Sequence, residues 1–292
     1  MVQNYNQTLN KISDLLKKSL ADNNRNLDSQ KTIRQITNFI LSAHSEIIQF
    51  TMSGIKNDIS KKISNFHKNT IAYGPFSGMK LNNLTWGSSE ISSMILGIYE
   101  EEVLDAILKL KGKTKNFINL GAGDGYFSVG VLVGKIFEKT YCFEKSEKLR
   151  DNILKNSIIN NVEKYITIHA EANKDFYNKI IEKDLKDSLV LIDVEGHEFD
   201  IVNRDTFQRF DKSVIIIEIH EFAKDSEIKI KNLLKDSSKT HNHNLITTAN
   251  RDLSKYKELK NIPDDFRWLL CSEGRSYRMS WLVFHPNQTF AK

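Results

Sequence analysis

From residue 116 onward, short apolar runs alternate with helical patterns, and this alternation limits the fold more than any other feature of the chain. The runs are NFINL, TYCF, YITIHA, SLVLIDV and SVIIIEIH, followed by LITTA and SWLVFH. Helical stretches separate them, among them one from Tyr126 to Phe137 and one from Ser146 to Asn160. Strands that are apolar throughout must be covered on both faces, as strands of a parallel sheet are. Alternation with helices supplies the cover. The expectation is a doubly wound α/β domain over about residues 110–292, with a mostly parallel seven-stranded sheet.

The first 70 residues read differently. Leu9, Ile12, Leu16 and Leu20 recur at helical spacing, and Asp22 to Asn26 breaks the pattern. A second helical pattern runs through Ile33, Ile36, Phe39, Ile40, Ile47 and Ile48, and a third through Ile59, Ile63 and Phe66. We expect an N-terminal helical extension at 1–70, either covering the main core or serving as an arm for a homo-oligomer. Residues 71–292 would form the main domain, divided into a lid loop with a leading helix (71–110) and the α/β core (111–292). The loop holds Tyr73, Phe76, Met79 and Trp86 among Gly, Pro, Ser and Asn, so it must be buried or cover something. Ser88 or Ser89 is a candidate cap for a helix running to about Leu110.

Charge narrows the partners. Residues 1–70 hold ten Lys/Arg against five Asp/Glu, and the rest of the chain balances at 32 against 32. A nucleic-acid binder would carry its basic stripe on the working domain, so nucleic acid is not expected. No apolar run approaches the roughly 18–20 residues that a membrane span needs. The polar start shows no secretion signal, and Cys142 and Cys271 fit neither a disulfide framework nor a zinc site. The expectation is a cytoplasmic protein.

Three segments carry chemistry. The first is NLGAGDGY at 119–126, which follows the first strand and opens a helix. Glycines there let the backbone approach a ligand, and the helix start offers free N–H groups. Nineteen residues past Gly125, Glu144 ends the second strand, where a carboxylate can accept both ribose hydroxyls. The spacing is G-x-G-x-G rather than G-x-G-x-x-G, and Tyr126 stands where a pyrophosphate would need room. The pattern suits a nucleoside without phosphates, such as S-adenosylmethionine. A purely structural glycine turn is the alternative.

The second segment is LIDVEGHE at 191–198, at the edge of the sheet where ligands of open parallel sheets sit. The third is IEIHE at 217–221. By strand alternation Glu218 and His220 point to one side. Buried ionisable groups need partners, and Asp193, Glu218 and His220 together make a histidine–carboxylate cluster.

These residues carry a resemblance. The segments INLGAGDGYFSVG, CFEKS, LIDVEGHEFDIV and IIEIHEF resemble class I S-adenosylmethionine-dependent methyltransferases, in particular the FkbM-like group. YGPFSGMKL, LGIYEEEV and SEGRSYRMSWLVF are similar to segments of its bacterial members. The resemblance covers about residues 71–290 and implies the Rossmann-like methyltransferase fold. It also implies that Gly121, Ala122, Gly123, Gly125 and Tyr126 line the cofactor, and that Glu144 holds the ribose. Glu171 would lie near the adenine, Asp193 near the methyl-transfer site, and Glu100 would approach from the preceding helix. Asn119 departs from the Asp or Glu of many relatives; its carbonyl can still accept from the cofactor ammonium, without the charge attraction.

A hydroxyl acceptor needs a general base or a metal. His197 or His220 is the candidate base, oriented by Glu195 or Glu218. Alternatively, Asp193, Glu195 and Glu218 would hold Mg²⁺, which favours oxygen ligands. The expected activity is O-methylation of a sugar or other small polar acceptor, in surface-glycan or secondary metabolism. Glu273 to Trp281 would help form the acceptor wall, with Trp281 either stacked on a sugar or in the core. The alternatives are N-methylation, a nicotinamide-dependent oxidoreductase on the same sheet, and a non-catalytic cofactor-binding protein.

Overall fold

The computed structural model describes residues 7, 10–15, 17–18, 27–82, 90–221, 225–273, 275 and 278–287. The chain divides into two compact units, Met1–Asp58 and Ile59–Lys292. The described residues of the first are helical. The second and third helical patterns of the sequence merge into one helix, α1, Leu27–Phe66. Gly54 is the one glycine inside it and there is no proline, so nothing in its sequence compels a break. Leu9, Leu16, Leu20 and the expected break at 22–26 lie outside the described residues.

The second unit holds the sheet. Its strands are β1 (Asn116–Leu120), β2 (Lys139–Phe143), β3 (Ile166–His169), β4 (Ser188–Ile192), β5 (Val214–Glu218), β6 (His241–Thr247) and β7 (Ser280–Pro286). Their order is β3-β2-β1-β4-β5-β7-β6. The first five run parallel, and β7 pairs antiparallel with both β5 and β6. The seven-stranded, mostly parallel α/β architecture is therefore the one the sequence implied. The strand that the sequence suggested at LITTA begins earlier, at buried His241, and its next three residues, Asn242 to Asn244, are polar and exposed and so carry no apolar signature.

Strand alternation builds two cores. Phe117, Leu189, Leu191, Val214 and Ile216 face one side, with Val129, Ile95 and Ile107. Ile118, Leu120, Val190, Ile192, Ile215 and Ile217 face the other, with Phe207 and Phe210. The sheet is covered on both sides, which is why its central strands read as unbroken apolar runs.

Four helices bear on the site: α2 (Ile91–Ile95), α3 (Glu101–Leu108), α4 (Tyr126–Val133) and α5 (Glu147–Ile159). The single helix expected up to Leu110 is two. Gly97, at φ +70°, separates them, and a side chain there would meet the Tyr73 carbonyl oxygen at 2.1 Å. Ser88 and Ser89 lie outside the described residues; Glu90 precedes α2 and makes no side-chain cap. The described part of the loop at 71–82 is core wall: Ile71, Phe76, Met79 and Leu81 are buried. Phe76 lies over Gly130 of α4, where an added methyl would meet its ring at 2.3 Å, and packs edge-on against Tyr126. Trp86 is outside the described residues.

Phe76→Ala is accordingly expected to cost about 3–5 kcal/mol in urea unfolding. A loss below about 1 kcal/mol would show that this loop is not part of the core.

Candidate functional site

The strand order reverses between β1 and β4, and the ends of both strands open the site. The backbone N–H of Asp193 donates to the Leu120 carbonyl at 3.0 Å, extending the pairing of β1 with β4. Gly121 comes next, at φ +80°, and a Cβ there would stand 1.6 Å from the Asp193 carbonyl oxygen. Only glycine lets the loop pass so close. The glycine loop and the Asp193 turn, separate motifs in the sequence, are thus in backbone contact.

Glu144 follows β2 and closes the other side of the loop. Its carboxylate accepts from Gly123 N–H at 2.9 Å and from Ser146 N–H at 2.8 Å, the residue capping α5. Asp124 is buried, and Asn152 of α5 donates to its carboxylate at 2.8 Å. Ala122 is buried against Cys142 and Ile153. Tyr126 turns its ring inward between Phe76 and Tyr99. Asn119 is also committed inward, its amide donating to Ser128 of α4 at 3.0 Å. Glu171 lies on the surface, paired with Lys145 at 3.1 Å.

The second half of the site gathers around His220, just past β5. His220 is buried, and its backbone N–H donates to Glu198 at 3.1 Å. Nδ1 faces the other Glu198 oxygen at 3.4 Å. Nε2 faces Asp193 at 3.8 Å and Glu195 at 3.6 Å. Burial pulls the imidazole down, but Glu198, Asp193 and Glu195 outweigh it and raise its pKa. His197 is not brought here; it is exposed and faces Asp200 at 3.4 Å.

Glu218 also lies elsewhere than beside the histidine. It meets Asp193 and the guanidinium of Arg275, whose Nη1 donates to it at 2.9 Å. Arg275 also donates to Glu273 at 2.8 Å and to Glu100. Burial, with Asp193 and Glu100 nearby, pushes Glu218 up to about 11. Burial pushes Glu100 up to about 8, the attraction of Arg275 notwithstanding. Asp193 is raised as well, by burial and by Glu195. One cation therefore faces a group of carboxyls whose pKa values are all raised. Two trios bring their donor atoms within 4.8 Å of one another: Asp193, Glu195 and His220, and Glu100, Asp193 and Glu218. In the second trio Arg275 already provides positive charge.

Two residues of the candidate site escaped the sequence reading. Glu198, rather than Glu195 or Glu218, is the buried carboxylate behind the imidazole; its signal was its place inside LIDVEGHE. Arg275 falls in the segment from Glu273 to Trp281, but a lone arginine there shows nothing of its three carboxylate partners. Trp281 is buried in the core.

Arg275→Leu leaves those carboxyls without their cation, an expected cost of about 3 kcal/mol at neutral pH. Their folded-state pKa values, already raised, rise further, so the native state binds more protons than the unfolded one. Stability should then fall as pH climbs from the ordinary carboxylate range toward 8, more steeply than in the parent. Urea unfolding at pH 5 and pH 8 checks this, and an equal loss at both pH values would contradict it.

With the geometry in place, comparison with known proteins gives the family. Residues 107–247 match the model of the methyltransferase FkbM domain. No curated protein matches the chain. Among solved structures, an O-methyltransferase from Bacillus cereus in complex with SAH is 15% identical, with a TM-score of 0.43 over 64% of this chain and 80% of that one. A precorrin-6y C5,15-methyltransferase from Geobacter metallireducens is 13% identical, with a TM-score of 0.40 over 63% and 86%. Cofactor-bound Rv0187 from MTB is 11% identical, with a TM-score of 0.45 over 66% and 83%. The match, which takes in β1 to β6 and the glycine loop, identifies a methyltransferase FkbM domain at residues 107–247.

Proposed function

We propose that the chain transfers a methyl group from S-adenosylmethionine to a hydroxyl of a sugar or other small polar acceptor, with His220 as general base. The observation that carries this reading is the imidazole held between Glu198 and Asp193 at the strand edge that also bears the glycine loop. The residues suit the cofactor. The loop is closed to any side chain at Gly121, so its backbone is free to line a ligand. Glu144 ends β2 in the position for ribose hydroxyls, and Asp193 and Glu100 offer carboxylates to a cation.

When bound, S-adenosylmethionine supplies an electrophilic methyl group on a sulfonium. The protein's share is then alignment and proton handling. Holding the acceptor in line supplies much of the rate. Nε2 of His220, between Asp193 and Glu195, takes the hydroxyl proton. Glu198 faces Nδ1, fixing the ring and stabilising the imidazolium that forms. Asp193 links the two halves through its carbonyl at Gly121 and its carboxylate at His220. This route needs no metal, and Arg275 supplies the cation that one carboxylate trio would otherwise lend to Mg²⁺.

Calorimetry is expected to show S-adenosylhomocysteine binding and no NAD binding, and the reverse result would reject the reading. Glu144→Ala should weaken the interaction more than tenfold (about 1.4 kcal/mol); unchanged affinity would remove Glu144 from the site.

The base assignment has its own signature. An imidazole must be neutral to accept a proton, so methyl transfer should be lost as pH falls through the raised pKa of His220. Glu198→Gln removes the partner that raises it most. The acidic limb of the pH–rate profile should move to lower pH and kcat should fall, with S-adenosylhomocysteine affinity unchanged. A limb that stays in place would uncouple Glu198 from the reacting proton.

A further inference from the structure

A cavity of about 380 Å³ opens beside the site, between the segment that follows β6 and the helix α6 (Asp264–Cys271) that precedes β7. Thr248, Asn250, Arg251, Trp268, Ser272 and Arg275 are among its lining residues. Its size falls in the range of small-molecule pockets. Arg275 is the shared wall: it lines the cavity and bonds Glu218 and Glu100 in the site.

Two features of the lining are selective. The first is Trp268. The helix buries Leu270 and Cys271 but leaves Trp268 52% exposed at the cavity, whereas Trp281 is 1% exposed. An indole face in a concave polar setting is a platform for the C–H face of a pyranose ring, because the ring quadrupole is negative over its face and those C–H bonds are weakly positive. Exposed Asn250 and half-buried Thr248 lie beside it with groups that can bond hydroxyls.

The second feature is the state of the arginines. Arg251 donates to both oxygens of Glu102, at 2.5 and 3.0 Å, and to Glu273 at 3.1 Å. Arg275 is shared among Glu100, Glu218 and Glu273. Each guanidinium is already engaged by three or two carboxyl groups, Arg275 by Glu100, Glu218 and Glu273 and Arg251 by Glu102 and Glu273, and the lining contains no lysine among the described residues. A phosphate needs an uncommitted cation or a row of N–H donors. This lining instead offers an aromatic face, uncharged polar groups and arginines whose N–H groups are already bonded.

We infer that this cavity is the acceptor subsite and takes a neutral glycosyl ring stacked on Trp268, not a nucleotide-linked sugar. The inference rests on the methyltransferase reading above and narrows its acceptor.

The test uses the full chain and two kinds of probe. Saturation-transfer NMR is run with a panel of methyl pyranosides and with UDP-glucose, and calorimetry with S-adenosylhomocysteine is run on the same samples. The ring C–H protons of at least one methyl pyranoside should receive saturation. Trp268→Ala should weaken that pyranoside roughly tenfold while leaving S-adenosylhomocysteine affinity intact, and Trp268→Phe should retain most of the binding. Because Trp268 is half exposed, both variants should keep the parent's thermal midpoint. Tighter binding of UDP-glucose, pyranoside signals that survive Trp268→Ala, or no pyranoside binding alongside intact S-adenosylhomocysteine binding would each overturn the inference and leave the methyltransferase reading standing. Absence of S-adenosylhomocysteine binding would overturn the reading itself.

Discussion

Everything at the site depends on how closely two backbone segments pass at the end of β1. Gly121 leaves no space for a Cβ against the Asp193 carbonyl oxygen, so any side chain at 121 would push the loop away from β4. The contact is possible because β1 and β4 are hydrogen-bonded neighbours up to Leu120 and Ile192, and Asp193 N–H continues the ladder. The glycine loop and the Asp193 turn are therefore joined by main chain. Their mutual position is set by the sheet, the most rigid part of the fold, and not by side chains that can change rotamer.

The sheet order explains why chemistry collects here. Chain to one side of β1 builds β2 and β3, and chain beyond β4 builds β5, β7 and β6. Connections leave in opposite directions at the reversal and leave a crevice at the carboxyl ends. Glu144 arrives from the first side; Asp193, Glu218 and His220 arrive from the second. Glu100 joins from the turn before α3, in a left-handed conformation at φ 48°. A non-glycine residue held there carries strain of the kind that clusters at functional sites.

The fold was legible because its central strands are hydrophobic on both faces, and that pattern survives in a single sequence. Elements failed to show where the signal was not hydrophobic. Asn242 to Asn244 of β6 are polar and exposed, and the break between α2 and α3 is imposed by a backbone contact from Tyr73 that no local propensity encodes. The site was legible in part for the same reason. Asp193, Glu218 and His220 stood out as charges ending apolar strands. Glu198 and Arg275 did not, because Glu198 opens a short helix like any surface glutamate and Arg275 gains its meaning only from partners as distant in sequence as Glu100. The distinction between His197 and His220 was equally hidden, since it depends on burial: one faces solvent and Asp200, the other lies behind Asp193.

Charge balance ties the two ends of the crevice together. Glu100 and Glu218 are both buried, burial raises both of their pKa values, and the guanidinium they share, Arg275, reaches them from the segment that leads into β7. Glu273, two residues earlier, is shared between Arg275 and Arg251 and accepts from Glu100 N–H at 2.8 Å. Arg251 in turn fixes Glu102 at the start of α3 and donates to the Ile98 carbonyl at 3.2 Å. A single run of ion pairs thus links the turn before α3, the stretch after β6 and the stretch before β7. By using both guanidiniums internally, the network leaves the neighbouring cavity, among the described residues, with polar groups and Trp268 but no uncommitted arginine or lysine. Under the acceptor proposal, selection in that cavity comes from shape, stacking and hydroxyl contacts, the interactions that separate one uncharged ring from another.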